Sequence, residues 1–219
     1  MTGISEPHKK RLKTLLTRQF YLWHWVSSAI CLASMLLFTF TGITLNHAAD
    51  IPAKPVTKEQ TYTLPASYME QLQAASEEEA KEAPAEVKKP LPGKLAAHLG
   101  SQFEENLRNK SAEWSEDEIY LSLPRPGGDA WLSIERASGV VTYERTTRGV
   151  ISFLNDLHKG RHTGPVWSWF IDIFSIAAFI FTLTGLGLLW VHARRRPSTW
   201  PVVLLGVLLP IILVLFFIH

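Results

Sequence analysis

The chain has 219 residues, a formal net charge of +2 and 47% hydrophobic residues, enough for one modest polar domain together with membrane segments. Its single cysteine, Cys31, excludes an intrachain disulfide framework, a thiolate metal site and the Cys-x-x-Cys-His attachment of c-type haem. No dinucleotide-binding glycine loop, phosphate loop, His-Glu-x-x-His zinc site or Ser/His/Asp arrangement is visible, which argues against a hydrolase or a self-contained nicotinamide reductase.

Residues 1–19 are basic, with Lys9, Lys10, Arg11, Lys13 and Arg18 against one acid, Glu6. Residues 19–49 then contain no Asp, Glu, Lys or Arg. A spanning helix needs about 20 apolar residues, so a first transmembrane helix is expected at 20–46. Tyr21, Trp23 and Trp25 supply an aromatic belt at its start. The apolar run is too long for a signal-peptide core, and no small-residue cleavage site follows it, so it reads as a signal anchor. Residues 47–93 contain Pro52, Pro55, Pro65 and the run Glu77-Glu78-Glu79, and are expected to form a solvated linker.

A small α+β domain is expected at 94–148. Leu95, Leu99, Phe103 and Leu107 recur every four residues, as on one face of a helix. Alternating runs around Ile119–Leu123, Trp131–Ile134 and Val140–Tyr143 then predict a three-stranded meander. Residues 149–165 read as an interfacial segment broken at Gly160 and Gly164-Pro165. A second transmembrane helix follows at 166–192, a loop at 193–198 and a third helix at 199–218. Residues 50–157 hold 18 acids and 12 basic residues, a net charge of −6. With Arg194, Arg195 and Arg196 after the second helix, the positive-inside rule places the N-terminus and that loop in the cytoplasm and residues 50–157 outside.

Four histidines fall near the ends of these spans: His24 and His192 on the expected inner side, His47 and His158 on the outer side. Such positions suit haem ligation or proton transfer, and equally an ordinary headgroup-zone anchor. At about 1.5 Å per residue, His24 and His47 stand roughly 34 Å apart and cannot serve one haem. Two stacked b-type sites are the expectation, His24 with His192 and His47 with His158, with His162 as a substitute for His158. Twenty-three residues at about 100° each turn His47 some 140° away from His24, unless His47 lies past the helix end. Lys159 and Arg161 could pair with haem propionates outside, and Arg194 or Arg195 inside; the alternative is plain interfacial charge. Asp172 is the lone acid inside an apolar span, a candidate proton acceptor or hydrogen-bond partner of a ligating imidazole, or a cap on a water pocket.

The stretches Tyr21-Leu22-Trp23-His24-Trp25, Thr41-Gly42-Ile43-Thr44-Leu45-Asn46-His47, Asn155-Asp156-Leu157-His158-Lys159-Gly160-Arg161 and Thr184-Gly185-Leu186-Gly187-Leu188-Leu189-Trp190 resemble the PepSY-associated transmembrane helix proteins. The strands around Ser133–Arg145 are similar to the end of a PepSY domain. The resemblance implies a membrane α-helical fold with three transmembrane helices and a small extracytoplasmic PepSY-like α+β domain between the first two. Some relatives are inner-membrane b-haem proteins that reduce ferric siderophores. This implies haem b, one or two per chain, and electron transfer across a bacterial inner membrane to a ferric siderophore or another periplasmic acceptor. The alternative it implies is a non-enzymatic accessory protein that binds a protease or transporter. Membrane lipid is an expected partner, a homo-oligomer that completes haem pockets is possible on this reading, and no nucleic acid is expected.

Overall fold

The structure is a computed structural model that describes residues 6–79 and 87–218. The chain divides into two compact units, one of residues 40–167 and one of residues 1–39 with 168–219. Three helices are long and apolar enough to cross a bilayer, so this is a multi-pass membrane protein. They are α1 (Glu6–Asn46), α5 (Pro165–His192), which a short 3-10 turn extends to Arg195, and α6 (Thr199–Phe217). α1 begins before the expected residue 20, because the basic N-terminal residues continue the same helix into the polar zone.

The less exposed positions of α1 follow alternating steps of four and three: His24, Ser28, Cys31, Met35, Phe38, Gly42 and Leu45, with Ser27, Ser34 and Thr41 beside them. That is the 3.5-residue seam of two helices packed at a shallow angle. In the helical unit this seam meets α5 in antiparallel order, with Phe38 stacked on Phe174, His24 on Phe181, and Tyr21 edge-on to His192. Small residues set the spacing, since a Cβ on Gly187 would lie 2.9 Å from the Phe20 ring.

The sheet unit is built on six antiparallel strands: β1 (Val56–Thr63), β2 (Val87–Pro90), β3 (Ser111–Trp114), β4 (Glu118–Ser122), β5 (Gly128–Glu135) and β6 (Val140–Thr147). Their order is β1-β6-β5-β4-β3-β2. α2 (Ala66–Glu79) and α3 (Gly93–Phe103) contribute Leu72, Leu95, Ala96, Leu99 and Phe103 to one core with Ile119, Leu121, Leu132, Ile134, Val141 and Tyr143. The inward residues alternate along β4, β5 and β6 because successive strand side chains point to opposite faces. α3 stops at Phe103 because the chain folds back on itself. Glu104 is left-handed at φ 55°, and the carbonyl of Glu105 lies where a Cβ on Gly100 would be, at 2.7 Å.

The expected meander is present, but the linker expectation for 47–93 needs correction. β1 pairs along its whole length with β6, from Val56 opposite Thr147 to Thr63 opposite Val140, and β2 pairs with β3. The sheet domain therefore begins near Val56 rather than residue 94. Both strands lie at the sheet's edges, where a strand exposed on both faces carries little alternation. β2 also ends on Pro90, a residue that edge strands tolerate.

Two predictions follow from this core. Leu132→Ala removes a fully buried side chain from the central strand and should cost about 2–5 kcal/mol, read as a lower denaturant midpoint of the detergent-solubilised chain. Tyr143 is 4% exposed, and burial with a hydrogen bond to Glu105 Oε1 at 2.7 Å pushes its hydroxyl up to about 12. Its neutral form is favoured in the folded state, so stability present below pH 10 should be lost as pH rises from 10 towards about 12. Tyr143→Phe should remove that alkaline step from a pH series of thermal melts.

Candidate functional site

The polar residues best organised in the sheet unit lie on α4 (Val150–Lys159) and face the last turns of α1. Thr44 Oγ1 donates to Asn155 Oδ1 at 2.6 Å, and Thr41 Oγ1 lies 2.6 Å from His158 Nδ1. The imidazole sits over Gly42, 3.8 Å from where a Cβ would be. Asp156 Oδ2 accepts the backbone N–H of Gly127 at 2.8 Å, in the turn between β4 and β5. Trp167 Nε1 donates to the carbonyl of Leu157 at 2.9 Å. Gly160, left-handed at φ 64°, closes α4, and the N–H of Arg161 returns to the carbonyl of Asp156.

Four consecutive residues, 155–158, thus bind three different parts of the unit: α1, the sheet and the chain leading to Trp167. Thr41, Thr44, Asn155 and Asp156 are all at most 9% exposed. A buried polar group costs free energy unless it is hydrogen-bonded, so these pairings hold one another in place. The cluster is a polar joint.

The four histidines have different surroundings. His24 is half-buried, stacked on Phe181, with Nδ1 3.2 Å from both the Phe181 carbonyl and Thr184 Oγ1. Its Cε1 lies 3.4 Å from the Cβ position of Gly185. His192 holds the carbonyl of Leu188 through Nδ1 at 2.8 Å and meets Tyr21 Oη through Nε2 at 3.2 Å. His24 packs at the level of Phe181–Gly185 while His192 lies about two turns further along α5, so the structure does not bring these imidazoles face to face.

His47 follows the last residue of α1, is 57% exposed and lies 3.2 Å from Asp50 Oδ2. Thr41 and Thr44, not His47, face α4, because the seam phase of α1 carries residues 41 and 44 to that side. His158 is held by Thr41, His47 by Asp50. His162 has a left-handed backbone (φ 57°) and is exposed, as are Lys159 and Arg161. Asp172 lies exposed on α5, off the face that packs on α1. Among the described residues no group of three or more His, Cys, Asp or Glu is placed to hold a metal ion.

A family model described as PepSY_TM-like matches residues 15–219. The chain belongs to the PepSY_TM-like family. No curated protein and no solved structure matches it. The match covers both apolar ends and the sheet, so the joint lies inside the segment that defines this PepSY_TM-like protein.

Sequence reasoning passed over Thr41, Thr44, Asn155 and Asp156 as site residues. Their signal was present: two threonines three apart at the end of an apolar helix, and an Asn-Asp pair in a short amphipathic one. Asn155→Ala should remove the buried hydrogen bond from Thr44, whose hydroxyl keeps the Thr41 carbonyl at 3.0 Å, at a cost of about 0.5–1.5 kcal/mol. A double-mutant cycle with Thr44→Val, read by chemical denaturation, should show non-additivity, because both changes remove the same hydrogen bond.

Proposed function

We propose that this PepSY_TM-like protein is a non-enzymatic accessory protein whose sheet domain binds a protease or transporter of the same membrane. The observation that carries the reading is the joint, which fastens α4 to α1 and to the β4–β5 turn through buried hydrogen bonds. A sheet unit tied internally in this way keeps its surfaces pre-organised, which lowers the ordering cost of binding a partner. With the basic N-terminus and Arg194–Arg196 in the cytoplasm of a bacterial inner membrane, the domain faces the periplasm.

A second reading is transmembrane electron transfer by haem b to a periplasmic acceptor such as a ferric siderophore. One observation favours it. Each of His24, His47, His158 and His192 is held by an oxygen through Nδ1. Imidazoles that ligate metals are commonly oriented in this way. The packing opposes it. A haem between α1 and α5 needs room for a porphyrin between two imidazoles, whereas His24 lies against Gly185 and Phe20 against Gly187. The His24 and His192 pair as arranged does not fit that group, which would require α1 and α5 to part there.

The test is a dithionite-reduced minus oxidised absorbance spectrum of the detergent-purified chain from haem-sufficient cells, with haem measured per chain. The accessory reading predicts no b-type bands. Stoichiometric bands that weaken in His24→Ala or His158→Ala would overturn it in favour of electron transfer.

A further inference from the structure

The two edges of the sheet differ. β2 is four residues long and ends on Pro90, which blunts its edge. β1 is eight residues long, contains no proline and is exposed at every position but Tyr62. Hydrogen-bonded and non-bonded pairs alternate along an antiparallel ladder. The Arg148 N–H reaches the Gly127 carbonyl at 2.8 Å, so Glu144 and Thr146, in the same phase, turn to β5. Tyr143 and Arg145 then turn to β1, opposite Gln60 and Lys58. The Leu64 N–H, donated to the Gly139 carbonyl at 2.9 Å, sets the same phase on β1. Thr57, Glu59, Thr61 and Thr63 therefore direct their backbone N–H and C=O groups outwards, where no strand lies among the described residues.

The side chains give this edge a charge pattern. Lys58 stands directly opposite Arg145 and Glu59 directly opposite Glu144, so one face holds paired cations and the other paired anions. Like charges directly opposite each other across strands are destabilising. Among the described residues Lys58, Glu59 and Arg145 make no ion pair. A strand added outside β1 offsets both like-charge pairs if it sets an acid opposite Lys58 and a base opposite Glu59. A second β1 does not, since a two-fold axis through Lys58 or Glu59 sets like charges opposite each other.

We propose that the open edge of β1 takes an extended segment of the partner protein as an added antiparallel strand. That segment carries a basic and then an acidic residue, in chain order, opposite Glu59 and Lys58. The outward backbone groups hold any extended chain, and the two charges select among such chains. The inference rests on the accessory reading and names the chemistry of its partner. Peptide binding is measured independently of the haem spectrum, so either can fail alone.

The full chain in neutral detergent is titrated into a fluorescent peptide, Thr-Val-Thr-Val-Lys-Glu-Thr-Val, and followed by anisotropy. With its first residue opposite Thr63, its lysine and glutamate fall opposite Glu59 and Lys58. Saturable binding is expected, lost when the peptide's lysine amide is N-methylated and kept when the next amide is, because only the first faces β1. Exchanging lysine and glutamate in the peptide should weaken binding about tenfold. The double variant Lys58→Glu, Glu59→Lys should reverse that preference, and both positions are exposed, so folding is undisturbed. No saturable binding, or equal affinity for the exchanged peptide, overturns the proposal. Dimerisation that Thr61→Pro abolishes and the peptide does not displace assigns the edge to a second copy and also overturns it.

Discussion

The sheet unit depends on one constraint: polar groups buried at the end of a membrane helix must find partners within the protein. Thr41 and Thr44 stand on the seam face of α1, 1% and 8% exposed, and α4 supplies His158 and Asn155 to meet them. The next residue, Asp156, turns to the sheet and holds the Gly127 N–H, where φ is +74° and a Cβ would collide with Phe153 at 2.7 Å. Glycine is therefore required at 127 by backbone conformation and by close approach together. A segment of ten residues thus ties the last turns of α1 to the β4–β5 turn within the sheet unit.

The same constraint gives the histidines an explanation that needs no cofactor. Near a bilayer boundary an imidazole has an apolar body and a polar tip, and each of the four spends Nδ1 on a nearby oxygen. His24 and His192 tie α1 to α5, and His158 ties α4 to α1. His47 stands apart on Asp50, as its phase on the helix requires. Ligation through Nε2 would leave the Nδ1 hydrogen bonds of His24, His47 and His158 in place, whereas His192 already meets Tyr21 through Nε2.

Much of the architecture was legible in the sequence, for identifiable reasons. Charge-free stretches marked the spans, and the alternation of Ile119, Leu121, Leu132, Ile134, Val141 and Tyr143 marked the central strands, because each buries one face. β1 was illegible because Val56-Thr-Lys-Glu-Gln-Thr-Tyr-Thr63 is an edge strand with both faces exposed up to Tyr62. The four boundary histidines were visible, but their partners were not. Which of Thr41, Thr44 and His47 faces α4 depends on the helical phase and on where α1 ends, and sequence fixes such a boundary only to within a turn.

The central claim is that the joint holds the sheet to the last turns of α1 in one geometry. It is tested most directly by pulsed dipolar distance measurement between spin labels at Ile43 and Ser138, both exposed, with Cys31 replaced by alanine, in lipid nanodiscs. A single narrow distance distribution in the parent chain, broadened by Asn155→Ala, is the predicted result. A broad distribution in the parent chain, unaffected by that change, would contradict the account.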